Sequence, residues 1–186
     1  MSDPVSAMGG QSYEGFAHVA DAGLQGMITL RGDLGSAAIA KAVKAATGCA
    51  LPAPRGIVTK GQAAVAWMSP DELLLLVPYA EAEATAAAVS AALAGEHVLV
   101  ANVSDARALF RVSGAKADQV LAKLCPVDFA RLPAGELRRT RAAQVAAALW
   151  RSAPDELSLI CFRSVAGYVY DLLALSARTG SELTSA

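Results

Sequence analysis

The sequence predicts an α+β fold of two duplicated β-α-β-β-α halves, with mostly antiparallel sheets that carry helices on one face. Landmarks of the region 28–93 recur in the region 109–177, about 80 residues later, which is too long for a solenoid unit and suits a duplicated half-domain. In both regions an apolar strand precedes an alanine-rich helix. Both also carry the letters Pro-Asp-Glu-Leu, at Pro70–Leu73 and Pro154–Leu157.

The first half begins with a strand and a capped helix. Leu24–Arg31 contains enough alternating apolar and β-branched residues for a strand, and the Gly-Asp pair that follows predicts its turn. Ser36 is the expected N-cap of a helix over Ala37–Ala46, which ends at a Thr-Gly pair. The two prolines of Leu51–Pro54 exclude a helix interior there, because proline lacks an N–H donor.

A hairpin, a helix and a short strand complete this half. Gly61–Met68 and Glu72–Val77 are predicted strands, joined by a Ser-Pro-Asp turn in which proline occupies its preferred second position. Tyr79–Leu93 has the composition of a helix, and Val98–Val103 that of a short apolar strand. The second half repeats the order as strand Ala108–Val112, helix Ala115–Leu124, hairpin Arg141–Phe162 and helix Val165–Ala174.

The predicted organisation is a single compact domain over residues 21–177, made of halves at about 24–103 and 104–177. Residues 1–20 are an expected N-terminal tail, since they are small, polar and without clear periodicity. Residues 178–186 are an expected C-terminal tail rich in serine and threonine.

Composition narrows the possible partners. The formal net charge of −1 provides no positive electrostatic field that would attract nucleic acid. No apolar run approaches the roughly 20 residues that a helix needs to span a bilayer. Three widely spaced cysteines argue against a disulfide framework or a zinc site, and a cytoplasmic protein with reduced thiols is expected. Hydrophobic residues make up 54% of the chain, which indicates either an extended apolar contact surface or an alanine-rich composition.

Few residues are candidates for catalysis or ligand binding. His18 and His97 lie near no cysteine or paired carboxylate in the sequence, and a surface or capping role is favoured over catalysis. Adjacent acids such as Asp71-Glu72 point apart, so a turn role is favoured for them. No glycine-rich loop has the context of a nucleotide site. The sequence therefore predicts no catalytic, cofactor-binding or metal-binding residue.

Candidates for partner contact are clearer. Arg107 follows Asp105, and it either pairs with this acid or holds an anionic ligand or a partner carboxylate; the internal pair is favoured. Arg163, Tyr168 and Tyr170 are predicted contact residues, because arginine and tyrosine are enriched at interfaces. A further basic group is either a solvated strand edge or a docking surface: Arg138, Arg139 and Arg141.

Three stretches carry a family resemblance. They are Val103–Gly114, the segment Leu124–Phe129 after an alanine-rich helix, and Cys161–Tyr168 after the second hairpin. In these stretches the chain resembles the gamma subunit of heterotetrameric sarcosine oxidase, and the resemblance extends over roughly residues 20–175. Such subunits are similar to the folate-binding domain of aminomethyltransferases, which agrees with the duplicated fold.

The resemblance implies a non-catalytic accessory subunit that assembles with alpha, beta and delta partners. Such a complex oxidatively demethylates sarcosine to glycine and hydrogen peroxide, and passes a one-carbon unit to tetrahydrofolate. FAD, FMN, NAD, tetrahydrofolate and zinc are implied for the partners, and no cofactor is implied for this chain. The alternative is a stand-alone folate-binding or aminomethyltransferase-like protein. No aspartate here matches the catalytic acid of aminomethyltransferases, and Cys49, Cys125 and Cys161 lack the context of the related iron–sulfur assembly proteins.

Overall fold

The computed structural model describes residues 3–183, and these divide into two compact units. The first-half unit is Gln25–Ser104. The second-half unit joins the described residues up to Leu24 to those from Asp105 onward. The single compact domain predicted over residues 21–177 stays a prediction.

The first-half unit contains one antiparallel sheet and two helices that pack on it. The strands lie in the order β4-β5-β6-β3-β7, so that β4 and β7 form its edges. Its elements are β3 (Gly26–Arg31), α1 (Ala37–Thr47), β4 (Ile57–Lys60), β5 (Ala63–Ser69), β6 (Glu72–Val77), α2 (Ala82–Ala92) and β7 (Leu99–Asn102).

Alternating strand residues of this sheet face the two helices. Leu73, Leu75 and Val77 of β6 join a buried cluster with Val43 of α1 and Val89 of α2. The side chain of Ser36 accepts a hydrogen bond from the backbone N–H of Ala38, which confirms the predicted N-cap.

The second-half unit has the same plan and additional strands from the start of the chain. Its sheet has the order β1-β2-β8-β11-β10-β9, again antiparallel throughout. Its elements are β1 (Ser12–Glu14), β2 (His18–Asp21), β8 (Arg107–Ser113), α3 (Ala117–Ala122), β9 (Leu137–Ala142), β10 (Val145–Ala153), β11 (Glu156–Phe162) and α4 (Ala166–Ser176).

The core of the second-half unit lies between this sheet and its helices. Leu157, Leu159 and Cys161 of β11 are buried in one cluster with Leu121 of α3 and Leu173 of α4. Since side chains alternate along a strand, the residues between them face the other side of the sheet. The predicted fold class, α+β with antiparallel sheets and helices on one face of each, is confirmed.

Two elements differ from the prediction. Each half has a strand before its hairpin, β4 in one and β9 in the other, so the order is β-α-β-β-β-α. The preceding prolines favoured a linker here, but Ile57–Lys60 pairs with β5 and Leu137–Ala142 pairs with β10. Helix α3 is also shorter than predicted.

The predicted N-terminal tail is wrong for residues 12–20. Ser12–Glu14 pairs with His18–Asp21, and β2 pairs in turn with β8. Val19 is fully buried in the core. The physical reason is that β2 finds its partner strand about ninety residues away, and short local patterns carry no signal for such a pairing.

The predicted C-terminal tail is attached to the unit as far as the structure describes it. The ammonium of Lys123 donates hydrogen bonds to the carbonyl oxygens of Ser176 and Ser181. The backbone N–H of Leu183 donates to the side chain of Gln119 at 2.9 Å. The last part of this predicted tail, residues 184–186, lies outside the described residues.

The turn between β1 and β2 provides a test of this attachment. A Cβ on Gly15 would overlap the carbonyl oxygen of Ala177, to which the N–H of Phe16 donates at 2.9 Å. We expect Gly15→Ala to lower the free energy of unfolding by about 1–3 kcal/mol, because backbone must move to admit the methyl group.

Gly167→Ala is the matched control for this test. Gly167 lies in α4, and a Cβ built on it meets no heavy atom within 4 Å. Since alanine is the better helix former, the control should raise stability by up to about 1 kcal/mol. Urea unfolding followed by circular dichroism compares the two variants. Equal stability of Gly15→Ala and the unaltered chain would contradict the described turn.

Candidate partner-contact surface

Arg107 and Phe162 lie beside each other at one end of the β8–β11 ladder. They are opposite in register, and the guanidinium carbon is 5.5 Å from the ring centroid. A cation at this distance from an aromatic face contributes about 0.5–1 kcal/mol at an exposed site. Phe162 is 51% exposed, although its neighbour Cys161 is buried in the helix-side core. The sheet thus presents an aromatic ring next to a positive charge.

Helix α4 presents two large side chains on its outer face. Tyr168 and Leu175 are 45% and 51% exposed, and their spacing of seven residues places them on one side of the helix. Val169 and Leu173 lie on the opposite, buried side. The 3-10 turn Arg163–Val165 leads from Phe162 directly into this helix. Arg107 and Phe162 lie on the face of the sheet away from the helices, whereas Tyr168 and Leu175 lie on the outer side of α4, which packs on the other face. We call these two patches together the candidate contact surface.

Tyr170 lies at the edge of the core instead. Its ring centroid is 6.2 Å from that of Phe110, a fully buried residue of β8, and the two rings are tilted by 37°. Burial raises the pKa of its phenol, and the neighbouring carboxylate of Asp171 acts in the same direction. The structure therefore gives Tyr170 a packing contact within its own unit.

Arg163 is directed toward the start of the chain. One of its terminal nitrogens donates hydrogen bonds to the carbonyl oxygens of Val5, at 2.9 Å, and Ser6, at 3.3 Å. Charge-assisted hydrogen bonds of this kind are stronger than neutral ones. Arg163 thus binds the N-terminal segment next to the junction between β11 and α4.

Asp21 also binds this N-terminal segment through hydrogen bonds. Its Oδ2 accepts hydrogen bonds from the hydroxyl of Ser6 at 2.5 Å and from the backbone N–H groups of Met8 and Gly10. Its Oδ1 accepts from the N–H of Gly23. Burial by itself raises the pKa of this carboxyl, but the four hydrogen bonds outweigh burial and lower it. Asp21 is therefore a buried anion that organises the chain around it.

The four predicted contact residues are thus placed differently. Arg107 and Tyr168 belong to the candidate contact surface, Arg163 binds the N-terminal segment, and Tyr170 packs on the core. Sequence reasoning missed Phe162 and Leu175 as contact candidates. The apolar pattern of β11 gave no signal for Phe162, because Ile160, two residues earlier on the same face, is buried.

The thiols of Cys125 and Cys161 are buried, and His18 lies beside the carboxylate of Glu14. Burial raises the pKa of the Cys161 thiol to about 12 and that of the Cys125 thiol to about 11, so both are protonated and poorly nucleophilic at neutral pH. His18 lies 3.4 Å from the exposed carboxylate of Glu14.

Within residues 3–183, no group of three or more histidine, cysteine or acidic side chains has a metal-binding arrangement. No helix in that range is long and apolar enough to span a membrane.

The Asp21 network predicts a pH-dependent loss of stability. Asp21→Asn should lower the free energy of unfolding at pH 7 by about 1–3 kcal/mol, because asparagine has one acceptor oxygen in place of two and no charge, so one donor loses its acceptor and the other bonds are no longer charge-assisted. A lowered pKa in the folded state stabilises the protein above the unfolded pKa of about 3.9, and this contribution disappears as pH falls through the folded value.

Urea unfolding at neutral pH and again in acid, below that lowered pKa, measures this effect. The difference between the unaltered chain and Asp21→Asn should shrink in acid. Asp171→Asn, on the exposed face of α4, is the matched control and should change stability little at either pH. A difference for Asp21→Asn that is as large in acid as at pH 7 would contradict the assignment.

Comparison with known proteins places the chain in a family. A family model described as "Sarcosine oxidase, gamma subunit family" matches residues 31–178. The chain is 36% identical over 131 residues to the sarcosine oxidase subunit gamma of an Arthrobacter species, covering 68% of this chain and 62% of that protein. It is 38% identical over 105 residues to the subunit of the same name from Corynebacterium sp. strain P-1, covering 55% of this chain and 49% of that protein. The chain thus spans about half to three-fifths of these relatives' lengths.

Solved structures show the same relationship. A chain of the heterotetrameric sarcosine oxidase from Corynebacterium sp. U-96, solved with pyrrole 2-carboxylate, has a TM-score of 0.82 and 25% identity, covering 94% of this chain and 91% of that one. Aminomethyltransferase T of the glycine cleavage system from Bartonella henselae has a TM-score of 0.64 at 15% identity, covering 83% and 44%, and shows the shared fold. The predicted family is confirmed: the chain belongs to the sarcosine oxidase gamma subunit family.

Proposed function

We propose that this chain is a non-catalytic, accessory gamma subunit of a heterotetrameric sarcosine oxidase. The observation that supports this most strongly is the family match over residues 31–178, together with a structural likeness that covers 94% of the chain. The candidate contact surface adds support from the structure, because exposed aromatic and aliphatic side chains beside an arginine are typical of the cores of protein interfaces.

The proposal assigns the chemistry to the assembled complex. In it, sarcosine is oxidatively demethylated to glycine, and the one-carbon unit passes to tetrahydrofolate. The alpha, beta and delta partners hold FAD, FMN, NAD, tetrahydrofolate and zinc, and the complex is cytoplasmic. The placement of this chain's own reactive groups agrees with an accessory role: Asp21 is engaged in four hydrogen bonds, and the thiols of Cys125 and Cys161 are buried and protonated.

Co-expression tests the proposal. The tagged full chain should be purified from cells that also produce the alpha, beta and delta subunits, and the mass and flavin absorbance of the eluate should be measured. The expected result is a stoichiometric yellow complex. A colourless chain that elutes without partners would contradict the proposal.

The exposed face of α4 makes the proposal more specific. Leu175→Arg should weaken assembly about tenfold or more, because a charge would replace an apolar side chain that the interface buries. Leu99→Arg is the matched control: Leu99 is 56% exposed on edge strand β7 and receives the same change. The dissociation constant of each variant is measured by titrating it against the other subunits immobilised on a sensor surface. A difference between the two variants distinguishes the two positions. Equal affinities would exclude α4 from the interface.

Folate binding by this chain itself is the second candidate function. It is favoured by the fold shared with aminomethyltransferase T. Calorimetric titration of the isolated full chain with tetrahydrofolate tests it, and the accessory-subunit proposal expects no saturable heat. Saturable binding, abolished by unfolding the chain, would make the folate-binding alternative the better account.

A further inference from the structure

Helix α4 carries apolar side chains on both of its sides. Its inner side, with Val169 and Leu173, is buried in the core of the second-half unit. Its outer side carries the exposed Tyr168 and Leu175, together with Leu172, which is half-buried but does not belong to the buried cluster. A helix that is apolar on all sides is normally covered on all sides. The sequence of α4 therefore favours a cover on its outer side.

Helix α1 shows the contrasting pattern of a helix that faces solvent. It has the same length as α4, 11 residues, and its Lys41 and Lys44 are exposed. Among the eleven residues of α4, all of which the structure describes, only Asp171 carries a charge. The outer side of α4 thus differs from an ordinary solvated helix surface of the same chain.

The outer residues of α4 have the spacing of a seam between two helices. Leu172 follows Tyr168 by four residues and Leu175 follows Leu172 by three, which is the alternation of apolar residues along a coiled-coil seam. This stripe is about 10 Å long, because an α-helix rises about 1.5 Å per residue. A second helix that packs along the stripe would present about two turns of apolar side chains to it.

Asp171 lies beside this stripe. In the heptad that places Tyr168 and Leu175 at position d and Leu172 at position a, Asp171 occupies position g. Charged residues at positions e and g pair across a seam and determine which helix binds. The Asp171 side chain is exposed, and it belongs to none of the ion pairs within residues 3–183. Its carboxylate is therefore available to a cation of a second helix.

The charge of Asp171 argues against two other occupants of this surface. A second copy of α4, packed antiparallel on the same stripe, would bring the two Asp171 carboxylates together near its centre, and like charges repel. A second copy packed parallel would offer Asp171 the uncharged Ser176. Anionic lipid attracts helices that carry lysine and arginine, whereas this helix carries an acid. A helix of a different chain, with a basic residue, fits this charge.

From this pattern we infer that the outer side of α4 binds an amphipathic helix of a partner subunit. The partner helix packs apolar side chains on Tyr168, Leu172 and Leu175, and it carries a lysine or arginine that pairs with Asp171. Such a pair sets the choice of partner more than the strength of binding. This inference rests on the proposed function and names the chemistry of the partner at the α4 patch of the candidate contact surface.

Charge reversal in the assembled complex is the first test. Asp171→Lys should weaken binding of the other oxidase subunits about tenfold or more at low salt, and the loss should shrink at high salt, where charges are screened. Glu96→Lys is the matched control, since Glu96 is an exposed acid between α2 and β7 of the first-half unit. It should change affinity by less than about twofold. Equal losses in both variants, or none in either, would overturn the inference.

A peptide titration separates failure of the inference from failure of the proposed function. The isotope-labelled full chain should be titrated with a helical peptide of roughly 20 residues, with leucine at positions a and d and lysine at e and g, and with its glutamate counterpart. Chemical shift changes in α4 report binding. Preference for the lysine peptide that Asp171→Lys abolishes and Glu96→Lys retains supports the inference, even if the chain enters no oxidase complex. Equal binding of both peptides, or no shift change in α4 with either, would overturn it.

Sedimentation of the free chain tests whether a second copy covers α4 instead. We expect Leu175→Arg to leave the sedimentation coefficient of the free chain unchanged, because the inference assigns this side chain to a partner subunit. Loss of a dimer in Leu175→Arg would show that a second copy covers the stripe, and it would overturn the inference.

Discussion

Strict alternation along the paired strands β8 and β11 is the constraint on which the second-half unit depends. Leu157, Leu159 and Cys161 must face α3 and α4 to form the core, so Phe162 has to lie on the other face. The same rule places Arg107 beside it. One pairing register therefore sets both the buried core and the exposed aromatic–cation pair, and a slip by one residue would exchange them.

The start of the chain completes this unit through polar contacts. Asp21, held as an anion by its hydrogen bonds, organises residues 6–10, and Arg163 binds the carbonyl oxygens of the same segment next to α4. Two long-range contacts thus connect the N-terminal segment to the region that carries the candidate contact surface.

Local pattern predicted much of the fold. The Pro-Asp-Glu-Leu repeats mark hairpin turns in both halves, and Glu72 and Glu156 each begin the second strand of a hairpin. The sheet position of β2 was not predictable, because its partner strand β8 is distant in sequence. The Asp21 network was not predictable either, because its donors are backbone N–H groups, which share no sequence motif. Among contact candidates, Arg107 and Tyr168 carried a compositional signal, whereas Phe162 is exposed at the end of β11 although Ile160 on the same face is buried, and the sequence of the strand does not distinguish the two positions.

Hydroxyl-radical footprinting tests most directly whether a partner covers the candidate contact surface. The full chain should be oxidised alone and in the assembled oxidase, and modification should be quantified at Phe162 and Tyr168, with Tyr13 on β1 as an internal reference. Modification of Phe162 and Tyr168 should fall several-fold on assembly, relative to Tyr13. Unchanged modification of both residues in a complete complex would show that this surface still faces solvent and is not a partner interface.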